Sequence, residues 1–172
     1  MTEPGAGSDA LGSMRTIAKK EGDHYVLNGS KTYITNGSIA DVVIVYAKTD
    51  VNKGNKGITA FVVETNNPGF KVVSKLKKMG FRGSQTSELF FENLKVSEKN
   101  ILGKEGQGHV VAMNGLDFER AMIAPISLGI SERALEISIE YAKIREQFGK
   151  PISSFQMIQS KLADMYTWVQ SI

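Results

Sequence analysis

The sequence predicts an α+β protein, in which an antiparallel β-sandwich or barrel is followed by two long helices of an incomplete four-helix bundle. From Ser13 to about Leu94, short strands alternate with turn signals and no helix intervenes. Beyond Gly106 the apolar residues recur at helical spacing to about Gln147, and a second amphipathic segment follows. We therefore predict a β-domain over residues 1–106 and the start of a helical domain over residues 107–172.

β-branched runs and turn residues define the strands in order. A turn at Gly22 separates the first two strands, and the Asn28-Gly29 dipeptide is a two-residue hairpin signal between the second and third. The predicted strands are Met14–Lys19, His24–Leu27, Lys31–Ile34, Asp41–Ala47, Gly57–Glu64, Phe70–Ser74 and Glu88–Phe91.

The two helices have recognisable start and stop signals. Pro125 removes a backbone donor inside the first helix, so we expect a kink there. Ser153 and Gln156 match a capping box, which predicts that the second helix starts at Ser153. Two helices cannot bury both apolar stripes against one sheet and each other. We therefore expect them to belong to a larger bundle or to an oligomer.

Composition excludes several function classes. With 172 residues, 41% apolar and 23% charged, the chain is typical of a folded globular protein. It has no cysteine, which excludes disulfides, thiolate catalysis and Cys-ligated zinc. Two histidines are too few for a His-based metal site, so no metal is expected. No apolar run is long enough for a membrane span, no signal peptide opens the chain, and a net charge of +3 does not indicate nucleic-acid binding.

Positive charge is concentrated in the first part of the chain. Residues 1–107 contain 15 Lys/Arg and 11 Asp/Glu, a balance of +4, whereas residues 108–172 contain 6 and 7, a balance of −1. Lys75, Lys77, Lys78 and Arg82 lie close together in sequence. Such a cluster is either a solvated face or a site that attracts a phosphate-bearing small molecule.

Four short motifs have residue types that could support binding or catalysis. The Gly-rich segment Thr2–Asp9 either presents backbone N–H groups to a ligand or is a structural turn. Tyr33–Gly37 closes a predicted strand with an aromatic ring and a hydroxyl group. Within Leu116–Arg120, Asp117 and Arg120 are spaced to pair, and Glu119 lies on another side as a solvated carboxylate or a general base. The fourth motif is the helix break, bracketed by Arg145, Phe148 and Gln156.

In this order, the motifs resemble one family of flavin enzymes. The segments TEPGAGSD, TYITNG, MGFRGSQTSELFFENLKVSEKNILG, GLDFERAMIAP and REQFGKPISSFQMIQSKLADM are similar to those of the acyl-CoA dehydrogenases. The resemblance covers essentially the whole chain, and GLDFER most resembles the isovaleryl-CoA dehydrogenase group. It implies a middle β-domain plus the first two helices of the C-terminal domain. It therefore also implies a partial chain that is inactive alone.

The resemblance also implies roles for individual residues. The cofactor-binding residues would be Met1, Thr2, Gly7, Ser8, Tyr33, Ile34, Thr35, Arg145, Phe148 and Gln156, of which the last three reach the FAD of a neighbouring subunit. The substrate-binding residues would be Ser8, Asn55, Lys56, Val110, Asp117, Phe118, Glu119 and Arg120. Asn55 and Lys56 depart from the Ser-Arg pair expected there. Glu119 stands where the isovaleryl group places its catalytic base.

The implied function is FAD-dependent α,β-desaturation of a short or branched-chain acyl-CoA, in fatty acid or branched-chain amino acid catabolism. Electron-transfer flavoprotein would accept the electrons, and the full-length protein would be a homodimer or homotetramer. It would lie in the cytoplasm of a bacterium or the mitochondrial matrix of a eukaryote. The alternatives are a related flavin acyl-CoA oxidase and, for this chain by itself, a non-catalytic β-module.

Overall fold

A computed structural model describes all 172 residues and confirms the α+β class. The chain divides into two compact units, Met1–Asn114 and Gly115–Ile172. The boundary falls within the first helix, and each unit is described by itself.

The first unit is built on one seven-stranded sheet. Its strands are β1 (Ile17–Glu21), β2 (His24–Thr35), β3 (Val42–Lys48), β4 (Ile58–Glu64), β5 (Phe70–Lys75), β6 (Thr86–Ser97) and β7 (Ile101–Leu102). Their spatial order is β5-β6-β2-β1-β3-β4-β7. Every neighbouring pair is antiparallel except β1 and β3, which are parallel and share only the Ile17–Lys48 register pair.

The core of this unit consists of apolar side chains from the long strands. The ring centroids of Tyr25 and Phe61 lie 5.1 Å apart, and those of Phe70 and Phe91 lie 5.7 Å apart. Leu27, Phe61 and Phe91 have no exposed surface. Buried side chains alternate along β6, whereas Tyr25–Leu27 of β2 and Ile58–Phe61 of β4 are buried without interruption. All three strands contribute large side chains to one apolar core.

The predicted hairpin at Asn28-Gly29 is wrong. The chain continues through both residues as the single strand β2, and Gly29 lies at a register shift against β6. A Cβ atom at Gly29 would lie 2.5 Å from the Thr16 hydroxyl oxygen, so the glycine allows a close approach of backbone rather than a turn. The turn between β1 and β2 is correct, because Gly22 adopts a φ of 64° there.

The second unit contains most of helix α1 (Gly108–Ile144), a short hairpin and helix α2 (Gln156–Gln170). The hairpin pairs β8 (Glu146–Gln147) with β9 (Lys150–Pro151), so α1 ends three residues before the predicted Gln147. Pro125 lies inside α1. Neither helix is long and apolar enough to cross a membrane.

The capping box predicted at Ser153 is also wrong. Ile152–Ser154 form a 3-10 turn, and α2 begins at Gln156 with Phe155 as its N-cap residue and no side-chain cap. Ser153 lies inside this turn, in which the hydroxyl of the neighbouring Ser154 donates to the Pro151 carbonyl at 2.7 Å. Ser and Thr side chains compete in this way for nearby backbone groups, and here the tight turn after Pro151 is favoured over an earlier helix start.

Candidate active site

The opening loop, Met1–Ser13, is fixed against β2 in the first unit. The backbone N–H of Thr32 donates to the Thr2 carbonyl at 3.0 Å. The Lys31 ammonium donates to the Met1 carbonyl at 3.2 Å and to Glu3 Oε1 at 2.8 Å. The structure therefore brings the predicted loop residues Met1 and Thr2 next to the strand segment that leads into Tyr33, Ile34 and Thr35.

A buried ion pair holds this arrangement. Glu3 is 5% exposed and Lys31 is 2% exposed. The Glu3 carboxylate also accepts from Arg15 N–H at 2.7 Å, and from Thr16 N–H and the Thr16 hydroxyl at 3.0 and 2.6 Å. The free-energy cost of burying the Glu3 carboxylate is largely compensated, because its charge is paired with Lys31 and both of its oxygens accept hydrogen bonds.

The two charges respond differently to burial. Burial by itself raises the pKa of Glu3, but hydrogen bonds from Lys31, Thr16 and the Arg15 amide outweigh that effect and hold the pKa below its ordinary value. Burial lowers the pKa of Lys31, and its hydrogen bond and attraction to Glu3 offset this in part. Sequence reasoning missed the pair, since no spacing rule links residues 28 positions apart.

Tyr33 stands out in backbone conformation. Its φ is 57°, in the left-handed region, and it lies where the register between β2 and β6 shifts between Lys31 and Ile34. The residue is 69% exposed. Bulges re-aim side chains, and strained non-glycine residues are concentrated at functional sites. Ile34 is half-buried, while Thr35 is exposed and pairs with Thr86 of β6.

The remaining loop residues predicted to bind ligands are exposed. Glu3 and Ala6 exchange backbone hydrogen bonds of 3.1 and 3.0 Å, which closes a tight turn just before Gly7 and Ser8. Both Gly7 and Ser8 are exposed. Asp9 then fixes the end of the loop by accepting from Gly12 N–H at 3.1 Å and from the Ser13 hydroxyl at 2.6 Å.

The predicted substrate residues Asn55, Lys56 and Val110 all belong to the first unit. Asn55 and Lys56 belong to the 3-10 segment Val51–Gly57, and both are exposed. A Cβ atom at Gly106 would lie 2.7 Å from the Lys56 carbonyl oxygen, so the chain entering α1 packs directly on that segment. Val110 is in the first turn of α1 and is 43% exposed.

In the second unit, the acidic segment of α1 has the predicted geometry. Arg120 Nη1 lies 3.2 Å from Asp117 Oδ1, which confirms the predicted pairing. Glu119 and Phe118 are exposed, and Glu119 takes part in no hydrogen bond or ion pair. The carboxylate of Glu119 is therefore unpaired.

The last predicted cofactor-binding residues lie at the break between the two helices. Gln147, Phe148, Phe155 and Gln156 line a cavity of about 770 Å³. Phe148 has a φ of 54°, is 93% exposed, and contacts Phe155 edge to face at 6.1 Å between centroids. Arg145 lies beside the hairpin, where its carbonyl accepts from Ile152 N–H at 2.8 Å. The structure thus brings Phe148 and Gln156 to one cavity, with Arg145 at the base of the same hairpin.

Comparison with known proteins agrees with this organisation. The family model for the acyl-CoA dehydrogenase middle domain matches residues 1–94, and that for the acyl-CoA dehydrogenase C-terminal domain matches residues 106–172. The chain therefore belongs to the acyl-CoA dehydrogenase family, which confirms the resemblance found in the sequence.

Individual relatives are similar along nearly the whole chain. Mitochondrial 2-methylacyl-CoA dehydrogenase of Solanum tuberosum is 53% identical over 99% of this chain and 41% of the relative. Mitochondrial isovaleryl-CoA dehydrogenase of Oryza sativa subsp. japonica is 51% identical over 99% of this chain and 42% of the relative. The chain thus spans about two fifths of the length of these curated relatives.

Solved structures show the same fold. Butyryl-CoA dehydrogenase from Megasphaera elsdenii superposes with a TM-score of 0.95 and 52% identity, over 99% of this chain and 44% of that chain. The prolyl acyl carrier protein oxidase AnaB superposes with a TM-score of 0.93 and 42% identity, over 99% of this chain and 45% of that chain. The fold is therefore shared by enzymes named as dehydrogenases and by one named as an oxidase.

Proposed function

We propose that the full-length protein is an FAD-dependent acyl-CoA dehydrogenase, which desaturates the α,β bond of a short or branched-chain acyl-CoA. The observation that best supports this is the opening loop fixed by Glu3 and Lys31 beside the bulged end of β2. The relatives named for 2-methylacyl-CoA and isovaleryl-CoA support the substrate class. Because the chain spans about two fifths of these relatives, we expect the 172-residue chain alone to be inactive.

The exposed groups beside the loop fit a flavin. A flavin ring has a flat apolar face and a polar edge, which matches an exposed aromatic ring next to hydroxyl groups. In our proposal Tyr33 packs beside the ring, and Thr2, Ser8 and Thr35 supply hydroxyls, with Met1, Gly7 and Ile34 completing the contact surface. When bound, FAD supplies the acceptor for the hydride that leaves the β-carbon.

The helix break fits a second part of the cofactor. The cavity beside Phe148 and Gln156 combines aromatic and amide groups. Arg145 immediately precedes the hairpin strand Glu146–Gln147. We propose that these three residues hold the FAD of a neighbouring subunit, so that the active protein is a homodimer or homotetramer. In this scheme residues 1–106 form the domain facing flavin and CoA, and residues 107–172 begin the helical domain.

Glu119 is our candidate for the catalytic base. Its neighbours three and four positions away, Gly115, Leu116, Met122 and Ile123, are apolar or lack a side chain. Asp117 is less suited, because its oxygen is already paired with Arg120. A Glu119 carboxylate oxygen would take the α-proton, and an apolar acyl chain beside it would exclude water from the reacting carbon.

The remaining predicted substrate residues are assigned to two parts of the substrate. We propose that the CoA end of the substrate, and the path by which it enters, are contacted by Ser8, Asn55, Lys56 and Val110. Asp117, Phe118 and Arg120 are proposed to contact the reacting end.

Replacing Glu119 with glutamine tests the base assignment. In the full-length protein, Glu119→Gln should retain flavin absorbance and acyl-CoA binding but lose turnover by at least about a hundredfold, the low end for general-base catalysis. Glu140→Gln, an exposed acid on the same helix, is the control and should keep normal turnover. Near-normal turnover of Glu119→Gln would show that the base lies elsewhere.

The electron acceptor separates the two enzyme candidates. We propose electron-transfer flavoprotein as the acceptor, whereas the similarity to the oxidase AnaB supports molecular oxygen as the second possibility. Oxygen consumption during acyl-CoA turnover would identify an oxidase, and turnover only with the flavoprotein would identify a dehydrogenase. Absence of flavin absorbance in the full-length protein would instead favour the third hypothesis, a non-catalytic β-module.

We expect a mitochondrial matrix location for the protein in a eukaryote and a cytoplasmic location in a bacterium.

A further inference from the structure

A basic cavity lies at one end of the first unit, where β5 connects to β6. It has a volume of about 470 Å³, and its lining includes Lys75, Lys77, Lys78, Arg82, Ser84 and Thr86. No carboxylate lines it. The four residues that stand close in sequence therefore also line one cavity, together with Ser84 and Thr86.

These cations are not neutralised within the chain. No Asp or Glu occurs between Glu64 and Glu88. Lys71, the fifth cation of this stretch, pairs with Glu92, but none of the four cations lining the cavity forms an ion pair. Like charges around one concave surface repel each other and focus a positive potential into it, which an anion would relieve.

The backbone around the cavity is held in a defined shape. The N–H of Leu76 donates to the Thr86 carbonyl at 2.8 Å, and the N–H of Asn36 donates to the Gln85 carbonyl at 2.8 Å. Within the connection, Ser84 N–H donates to the Phe81 carbonyl at 3.1 Å, and Phe81 adopts a φ of 48°. The walls of the cavity are therefore largely pre-formed, as is usual for small-molecule sites.

We propose that this cavity binds the phosphate groups of a phosphorylated small molecule. Its volume lies within the range of roughly 300–1,000 Å³ typical of ligand pockets, and its concavity favours a small ligand over a flat protein surface. Phosphate oxygens match the donors present, since a guanidinium binds them bidentately and ammonium and hydroxyl groups donate singly. The site adjoins the proposed flavin contact, because Thr86 pairs with Thr35, but binding here needs neither flavin nor catalysis.

Calorimetric titration with inorganic pyrophosphate tests the proposal directly. At an ionic strength of about 20 mM, where surface charges are weakly screened, the full chain should bind pyrophosphate saturably with one site. The Lys77→Gln/Lys78→Gln double variant and Arg82→Gln should each bind at least about tenfold more weakly, since each loses charge-assisted hydrogen bonds. Lys99→Gln/Lys104→Gln removes the same charge elsewhere and should change the affinity less than about twofold.

Several results would overturn the proposal. One is the absence of saturation, and another is an equal loss in the test and control variants, which would indicate bulk charge only. Binding of polyglutamate without binding of pyrophosphate would assign the surface to an acidic protein partner instead. Competition with ADP and with CoA then identifies the phosphate carrier, and displacement of pyrophosphate by either supports the site. These titrations do not depend on turnover. The phosphate-site proposal can therefore be rejected without rejecting the proposed enzyme activity, and the reverse also holds.

Discussion

The two compact units bury their apolar side chains to very different extents. In Met1–Asn114, complementary strand faces enclose large side chains completely, as at Phe61 and Phe91. In Gly115–Ile172, only Leu135, Ala142 and Val169 are buried apolar residues. Large apolar side chains on its helices are exposed, including Phe118, Ile123, Ile126, Ile130, Ile137, Tyr141, Met157, Tyr166 and Trp168. The β-unit therefore has a buried apolar core of its own, whereas the helical unit presents surface of the kind that other elements or subunits cover.

Truncation of one large aromatic in each unit should give the largest contrast. Phe61→Ala removes a ring that is fully buried against Tyr25, and should lower the free energy of unfolding by about 4 kcal/mol. In the same 172-residue chain, Trp168→Ala removes a side chain that is 73% exposed, and should change it by less than about 0.5 kcal/mol. Urea unfolding followed by circular dichroism measures both.

The full-length protein sharpens this contrast. If the helical face is covered there, Trp168→Ala should cost several times more than in the 172-residue chain, approaching the roughly 3 kcal/mol of a buried tryptophan. A cost of 3 kcal/mol already in the 172-residue chain would contradict the exposure described for α2.

The Glu3–Lys31 pair is buried, whereas the Lys20–Glu98 pair in the same unit is exposed. Glu3→Gln leaves the Lys31 charge without its partner and should cost about 3 kcal/mol at neutral pH. Glu98→Gln breaks the exposed Lys20–Glu98 pair of 3.1 Å and should cost less than about 1 kcal/mol.

The pH dependence of the Glu3→Gln effect has a definite sign. The folded-state pKa of Glu3 lies below its ordinary value, so the ionised carboxylate stabilises the fold above a pH of about 4.3 and this contribution is lost as pH falls through the folded pKa. The difference in urea midpoint between wild type and Glu3→Gln should therefore shrink on acidification. A difference independent of pH between 7 and 3 would mean that packing, not charge, explains the cost.

The smallest expected stability effect concerns a feature that the units share. Each contains an exposed aromatic in the left-handed region, Tyr33 in the first and Phe148 in the second. Tyr33→Gly and Phe148→Gly relieve backbone strain and should leave stability unchanged or raise it by up to about 1 kcal/mol. In the full-length protein both should nevertheless bind flavin more weakly, as measured by flavin retention on dilution.

Tyr33→Phe provides the control for that experiment. It keeps both the ring and the strain, so flavin retention should stay close to that of the wild type. Destabilisation by more than about 1 kcal/mol in either glycine variant would show that these aromatics serve the fold rather than a ligand.

The sequence predicts what is local and misses what depends on distant contacts. The run of β-strands, the Gly22 turn and the Asp117–Arg120 pair depend on neighbouring residues, and each occurs in the structure. The Asn28-Gly29 hairpin fails because the chain needs a glycine where Thr16 approaches, a contact that no local pattern reveals. The roles of the site residues rest on family resemblance. The sequence does not reveal the Glu3–Lys31 pair or the left-handed conformation of Tyr33. Both are seen only in the folded structure, where the opening loop lies against β2.

The docking of the opening loop on β2 provides intrinsic spectroscopic probes. The backbone amides of Arg15, Thr16 and Thr32 donate to the carboxylate of Glu3 or to the carbonyl of Thr2, so each is protected from solvent hydrogen exchange only while the loop is docked. Amides in the interior of the sheet, such as that of Leu27, exchange only through larger openings. A single exchange experiment on the native protein therefore separates the free energy of loop docking from that of the fold, without any substitution or bound ligand.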